Sequence, residues 1–260
     1  MHLAKPIHIG GHAIAGGKFP LICTPLVGRT FDKLMAELDV VLPKKPDVLE
    51  WRVDFFDQIA DATAVIAAAT TIKNKAGKIP LLFTRRSIIE GGEKIALSEA
   101  QVITLYKKVC ASNCIDLIDY EMANDPANIA QVRAAACDNG VLLVLSFHNF
   151  SYTPGLETLA AKFLQADQLG ADVAKVAVMP RDLDDVLTLL SATREASKKL
   201  RIPLISMSMG PLGAITRLVG GVFGSSLSFA VGAAASAPGQ VPIEDLNTAL
   251  GIVNKAMGAK

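Results

Sequence analysis

Residues 48–54 read "VLEWRVD" and carry two patterns at once. In an extended strand side chains alternate between faces, so Leu49, Trp51 and Val53 share one side and Glu50, Arg52 and Asp54 the other. An apolar face of this kind packs under helices. The charged face must then point to the inside of a curved sheet, near an end where water or a ligand can reach it, because charge in a dry interior is costly.

Seven further runs resemble this one in length and apolar content. They begin at Leu21 ("LICTPL"), Pro80 ("PLLFTRR"), Asp116 ("DLIDYE"), Val141 ("VLLVLSFH"), Val173 ("VAKVAV"), Pro203 ("PLISMSM") and Ser226 ("SLSFA"). Ala- and Leu-rich segments of helical period fill the gaps, among them "TFDKLMAELDVVL", "LETLAAKFLQADQLG" and "DLDDVLTLLSATREASKKL". Gly170 fits a helix stop and Asp182 a helix start. Eight alternating units predict a closed (β/α)8 TIM barrel of class α/β, with a doubly wound sheet as the alternative. "IHIGGHAIAGGKFP", before Leu21, reads as a β-hairpin closing the barrel floor. With no linker in view, residues 1–260 are expected to form a single barrel domain.

Composition narrows the function classes. The 260 residues are 51% hydrophobic and 5% aromatic, with a formal net charge of +1. That balance argues against a nucleic-acid partner, which calls for a basic face and stacking aromatics. The most apolar stretch, "GVFGSSLSFAVGAAASAPG", is broken by Gly, Ser and Pro, so no membrane span is expected. Cys23, Cys110, Cys114 and Cys137 match neither a zinc nor a CxxC pattern and read as buried free thiols of a cytoplasmic protein. His8 and His12 lack a supporting ligand set, and "GHAIAGGK" lacks the phosphate-loop spacing. Neither a cofactor nor a metal is required.

Strand parity collects chemistry on the inner face. Arg86 follows Leu82 and Thr84, Asp119 and Glu121 follow Leu117, and Ser146 and His148 follow Leu142 and Val144. Most lie at the C-terminal ends of their strands, where barrels of this kind keep their active sites. Any one of them could be a structural ion pair at the rim; several strands contributing together read as a polar pocket. Lys175 stands on the inner face with Val173 and Ala177. It is either a lysine snorkelling to the rim or a Schiff-base nucleophile, since only the neutral amine attacks a carbonyl. An ordinary lysine titrates near ~10.4, and a shift of ~3 units corresponds to ~4 kcal/mol of differential interaction. Hydrocarbon burial beside Arg52 or Arg86 would push in that direction. His148 could be a general base or a satisfied core residue, and Glu90, in "RRSIIEGGE", a solvated loop carboxylate or the group that orients it.

The stretches "LEWRVD", "LLFTRRSIIEGGE", "SFHNF", "KVAVMP", "SMSMGPLGAITRLVGGVFGSSLSF" and "ASAPGQ", in this order from Thr24 to Gln240, resemble the type I 3-dehydroquinate dehydratases. The resemblance implies dehydration of 3-dehydroquinate to 3-dehydroshikimate in the shikimate pathway. It also implies a lysine imine at Lys175, His148 as the base that removes the C2 proton and returns it to the departing C1 hydroxyl, and Glu90 orienting His148. Arg217, Ser236 and Gln240 would hold the substrate carboxylate and cover the site. Glu50, Arg52 and Arg86 would hold the ring hydroxyls, and Met207, Met209 and Phe229 would form apolar walls. Family members are often dimers, so a homodimer is expected. Arg85, Asn149 and "GPLGAIT" depart from the family pattern. Two competing readings are a Schiff-base aldolase, for which "VGGVFGS" could mimic a phosphate loop, and a non-catalytic barrel that binds a ligand without turnover.

Overall fold

The computed structural model describes residues 4–18 and 20–258. Eight parallel strands form the central sheet: β3 (Leu21–Leu26), β4 (Val48–Arg52), β5 (Leu81–Thr84), β6 (Leu117–Glu121), β7 (Leu142–Asn149), β8 (Val173–Val178), β9 (Leu204–Ser208) and β10 (Leu227–Val231). They correspond to the eight runs read from the sequence. Neighbours in the chain are neighbours in the sheet, and β10 returns to pair with β3 at Leu227–Leu21. Helices α1 (Phe31–Val41), α2 (Ala62–Ala76), α3 (Glu99–Cys110), α4 (Pro126–Asp138), α5 (Leu156–Gln168), α6 (Leu183–Lys199), α7 (Gly210–Phe223) and α8 (Ile243–Ala256) connect the strands. The curled sheet of a TIM barrel, not a doubly wound sheet, is therefore the architecture. Among the described residues no helix is long and apolar enough to cross a membrane.

The last seam is the narrowest. Between β9 and β10 there is one isolated parallel bridge, Leu204–Ser225, supported by Ser226 N donating to Leu204 O at 2.6 Å. Ser225 Oγ accepts from Ser206 N at 3.1 Å, so a side chain takes a place in the ladder. Towards the C-terminal end of β10, the short strand β11 (Val241–Pro242) pairs with Ala230 and Val231. The segment from Gly232 to Gln240 is thereby anchored at both ends beside the barrel mouth.

Helix ends follow local chemistry. Asp182 caps α6 by accepting from Asp185 N, and Ser98 and Gln101 form a reciprocal capping box on α3. Gly170 follows α5 with φ +82°, a conformation that favours glycine.

The two sides of the sheet are as parity predicts. Leu49, Trp51, Val53, Phe83, Ile118 and Tyr120 pack outward against the helices, and Leu21, Cys23, Val48, Leu82, Leu117, Val144 and Val173 pack inward. On the outer side Trp51, Phe83, Tyr106 and Tyr120 form a series of edge-on ring contacts at 5.5–5.7 Å. Tyr106 OH donates to Asp119 O at 2.7 Å and accepts from Arg85 N at 3.1 Å. The outer core thus fixes the backbone on which the inner charges stand. Arg85 points outward, to Glu99.

The hairpin expected at the floor is present as β1 (His8–Ile9) and β2 (His12–Ala13), turned through Gly10 and Gly11, both at positive φ. Ile7 and Ile14 flank it and join the inward apolar cluster. Full burial of such a side chain contributes about 1.5–3 kcal/mol, which holds an otherwise marginal hairpin in place. One expectation needs correcting: Cys23, Cys110 and Cys114 are buried, but Cys137 is exposed, because α4 turns it away from the sheet.

Candidate active site

A cavity opens at the C-terminal ends of the strands. Its lining includes Glu50 and Arg52 from β4, Arg86 and Glu90 from the segment after β5, His148 from β7 and Lys175 from β8. Met207, Met209 and Phe229 supply apolar wall, and Ser236 and Gln240 close one side. Eleven of the twelve residues singled out from the sequence therefore meet in one place. Arg217 is the exception.

Lys175 and His148 come from adjacent strands, where Ser146 pairs with Lys175 and His148 with Ala177. The surroundings of Lys175 differ from the hydrocarbon setting expected. Its Nζ donates to Asp119 Oδ2 at 2.9 Å and lies 3.7 Å from Glu50 Oε1, with the Phe229 ring centre 4.7 Å away. Arg86 does not sit as an unshielded like charge; its Nη2 takes the other oxygen of Asp119 at 2.8 Å. Asp119 stands on the inner face two strands from Lys175, and the curvature of the barrel brings the two together. Parity placed Asp119 inward but did not single it out.

Asp119 is the electrostatic centre of the site. Burial by itself would raise its carboxyl, but the cations of Arg86 and Lys175 outweigh that and hold it well below the usual carboxylate range. Ser146 Oγ donates to it at 2.6 Å. Arg86 is also within reach of Glu121, at 3.1 Å, and Ser146, at 2.9 Å. Burial would depress its guanidinium, yet the surrounding carboxylates hold it above the ordinary arginine value.

Glu90 and His148 form the second pair. Glu90 Oε2 lies 2.8 Å from His148 Nδ1 and accepts the His148 backbone N–H at 3.0 Å. Because that oxygen already accepts one donor, the imidazole hydrogen is best placed on Nδ1, donating to the same oxygen. Nε2 then carries the lone pair, which is the tautomer a base needs. Burial raises the Glu90 carboxyl to about 8, with the charge of Glu121 adding and that of Arg86 opposing. Burial also lowers His148 well below its usual value, followed by the cations Arg86 and Lys175. Both shifts disfavour added charge at the pair.

The local chain is shaped to hold this contact. Ser87 caps the short turn Ile88–Glu90 through its hydroxyl, and Gly92 N donates to Ser87 O at 2.7 Å. A Cβ on Gly92 would lie 2.0 Å from Arg86 O, so only glycine lets the turn close so tightly. Phe150 stacks beside His148, with ring centres 6.5 Å apart.

Arg217 lies behind the wall, 1% exposed, on α7. Its Nη1 donates to Phe229 O at 3.3 Å and its Nη2 to Pro238 O at 3.1 Å, while Nε has no partner. Among the described residues no carboxylate pairs with it, and burial pulls its guanidinium down to about 10. Ser236 and Gln240 bond each other, Ser236 N to Gln240 Oε1 at 3.0 Å and Gln240 Nε2 to Ser236 Oγ at 3.3 Å. Arg52 Nη1 reaches Ser236 O at 3.3 Å, tying the covering segment to β4.

This arrangement has close counterparts. The family model of type I 3-dehydroquinase matches residues 22–257. The chain belongs to the type I 3-dehydroquinase family. It is 74% identical over 258 residues to the 3-dehydroquinate dehydratase of Albidiferax ferrireducens, covering 99% of this chain and 98% of that one. The crystal structure of the 3-dehydroquinate dehydratase from Geobacillus kaustophilus superposes with a TM-score of 0.94 at 50% identity, covering 98% and 99% of the two chains. The type I enzyme from Clostridium difficile, solved with covalent modified comenic acid, gives 0.92 at 36% identity, covering 97% and 99%. Within the 3-dehydroquinase framework the inward charges read as one assembly: an amine and an imidazole facing a common cavity, each braced by a buried carboxylate.

Proposed function

We propose that the protein, as a single barrel domain, dehydrates 3-dehydroquinate to 3-dehydroshikimate through an imine on Lys175, as a step of the shikimate pathway. The observation that carries this reading is the pairing across the cavity of Lys175 with a base, His148, whose Nδ1 is held by Glu90 at 2.8 Å. Attack on a ketone needs the nitrogen lone pair, so the amine gives up a proton before it reacts. It adds to the C3 carbonyl, and water leaves to form the iminium. His148 Nε2 then takes the C2 proton, and the electron pair moves into the enamine. Expulsion of the C1 hydroxyl, protonated by His148, completes a syn elimination. Water hydrolyses the conjugated imine, frees the product and restores Lys175; the net change is loss of one water.

The anchoring set follows from charge. A guanidinium that is buried without a carboxylate partner, as Arg217 is, has its electrostatic need met by an anion, and the substrate carboxylate supplies one. For Arg217 to reach it, the bond to Pro238 O must yield, so the segment carrying Ser236 and Gln240 is expected to reseat on binding. Glu50, Arg52 and Arg86 face the ring hydroxyls, with Met207, Met209 and Phe229 against its apolar edge. The covalent modified comenic acid of the Clostridium difficile relative supports a covalent step. Neither a cofactor nor a metal has a part in this scheme. The working form is proposed to be a cytoplasmic homodimer, which sedimentation of the purified protein would check.

Trapping tests the chemistry. Incubation with 3-dehydroquinate and borohydride, followed by mass spectrometry, should place the reduced adduct on Lys175. An adduct elsewhere, or turnover that borohydride does not inhibit, would refute the imine. Under the aldolase reading a phosphorylated sugar, not 3-dehydroquinate, would be trapped.

A further inference from the structure

Asp54 lies just past the end of β4, in the turn Val53–Phe55, with its side chain fully buried. Each of its oxygens accepts two hydrogen bonds. Oδ1 takes Arg52 Nε at 2.9 Å and Arg86 N at 3.2 Å; Oδ2 takes Arg52 Nη2 at 2.8 Å and Glu93 N at 3.1 Å. Two of these bonds form a fork-to-fork pair that fixes the plane of the Arg52 guanidinium. The remaining nitrogen, Nη1, is the one that reaches Ser236 O on the covering segment. The other two bonds pin the backbone at Arg86 and at Glu93, the two ends of the turn that carries Glu90.

We infer that Asp54 is a positioning residue for the reaction: one carboxylate that sets both the guanidinium holding the cover and the turn holding the brace on His148. The inference rests on the reaction proposed above and assigns it a residue that touches no reacting atom. Had Asp54 paired with Arg52 alone, it would be an ordinary rim ion pair. Its grip on both ends of the Glu90 turn sets it apart, because covering the site and aligning the base then share a single anchor. Phe55, the next residue, carries Arg52 over its ring at 5.0 Å and Arg29 at 5.5 Å. Arg29 in turn pairs with Glu93, so the same corner is tied a second time at the surface.

The test separates the two arms. In Asp54→Asn the amide keeps the shape but cannot accept all four bonds. A misplacement of this order should lower kcat/KM by roughly 100-fold, divided between a raised KM and a lowered kcat. Arg52→Lys, which keeps the positive charge near His148 but loses the fork on Asp54, should raise KM and leave the pH profile of kcat in place. Glu93→Pro, which deletes the N–H to Oδ2 and, at the surface, the pair with Arg29, should do the reverse. KM should hold, while the acid limb of kcat moves to higher pH, as water entering beside a loosened turn relieves part of the burial that lowers His148. Glycine at position 92 tolerates the following proline. Borohydride should still trap substrate on Lys175 in all three variants.

An unchanged KM and kcat profile in Asp54→Asn would overturn the inference, as would an Arg52→Lys that shifts the profile or a Glu93→Pro that leaves it unmoved. If Asp54→Asn does not fold, the two single-arm variants decide. Failure of the wild-type protein to trap substrate would instead remove the underlying reaction and leave the Asp54 geometry unassigned.

Discussion

The floor and the mouth of the barrel are built from the same strands, yet they obey opposite rules. Going up the inner face, β4 runs Val48, Glu50, Arg52; β6 runs Leu117, Asp119, Glu121; β7 runs Val144, Ser146, His148; and β8 runs Val173, Lys175. The lower members join Ile7 and Ile14 of the hairpin in an apolar plug. The upper members are polar, and most of them are charged and equally buried. Glu50, Arg52, Arg86, Glu90, Asp119, Glu121 and Lys175 are all at or below 5% exposure. Burying apolar surface stabilises the fold, whereas burying charge costs several kcal/mol per ion unless partners offset it. The mouth is therefore a region where stability is given up for reactivity, and the floor offsets the deficit. Substitutions at the two levels should separate activity from stability.

The largest effect belongs to the mouth. Lys175→Ala should reduce turnover by on the order of 10⁴-fold or more, as expected for a lost nucleophile, and abolish the borohydride adduct. Its folding should suffer little, since the carboxylates it leaves at Asp119 and Glu50 retain Arg86 and Thr84 as partners. Retained adduct formation would place the imine elsewhere and dissolve the contrast. Next comes His148→Ala, with kcat lowered ~10²–10⁴-fold for a missing general base. Imine should still accumulate there, and mass spectrometry of the trapped protein would show whether capture and elimination are separate steps.

The floor should respond in the other currency. Ile7→Ala removes a side chain that is 2% exposed. The cost should be about 2–5 kcal/mol of stability, measured by denaturant titration, with kcat and KM within about two-fold of the parent at 25 °C. A large fall in kcat would mean that the plug transmits strain to the mouth and that the two levels are not independent.

Most of this division is legible in the sequence, because it follows from parity. The alternation in "VLEWRVD" separates Trp51 from Arg52 without knowledge of the fold, and eight such runs leave few architectures open. What parity cannot supply is depth and partner. Asp119 and Lys175 stand two strands apart, and only the curl of the sheet brings their side chains to 2.9 Å. The environment expected for Lys175 therefore named the wrong neighbours. Arg217 is on a helix, where the strand rule does not apply, and its position behind Phe229 depends on the packing of α7. Ser236 contributes its main-chain oxygen to Arg52, a role no side-chain reading identifies. Asp54 is on the correct face by parity, but two of its four bonds depend on the backbone path of a loop more than thirty residues away in the chain.

The smallest effect is the one that compares the levels most directly, through the pH dependence of stability. Glu90 has its carboxyl raised by burial from the ordinary 4.5 to about 8. Between those values the folded protein binds a proton that the unfolded chain has lost, so stability falls as pH rises. His148 acts in the opposite sense. Lowered in the folded state, it makes stability rise with pH, but only up to its unfolded value near ~6.5. From about pH 6.5 to 8 the Glu90 contribution stands alone, with a limiting slope of roughly 1.4 kcal/mol per pH unit for one proton. Glu90→Gln should flatten denaturant-derived stability across that window, while Ile7→Ala should lower the whole curve and keep its slope. If the slope survives in Glu90→Gln, the proton belongs to another group at the mouth, and the brace on His148 is ionised throughout the neutral range.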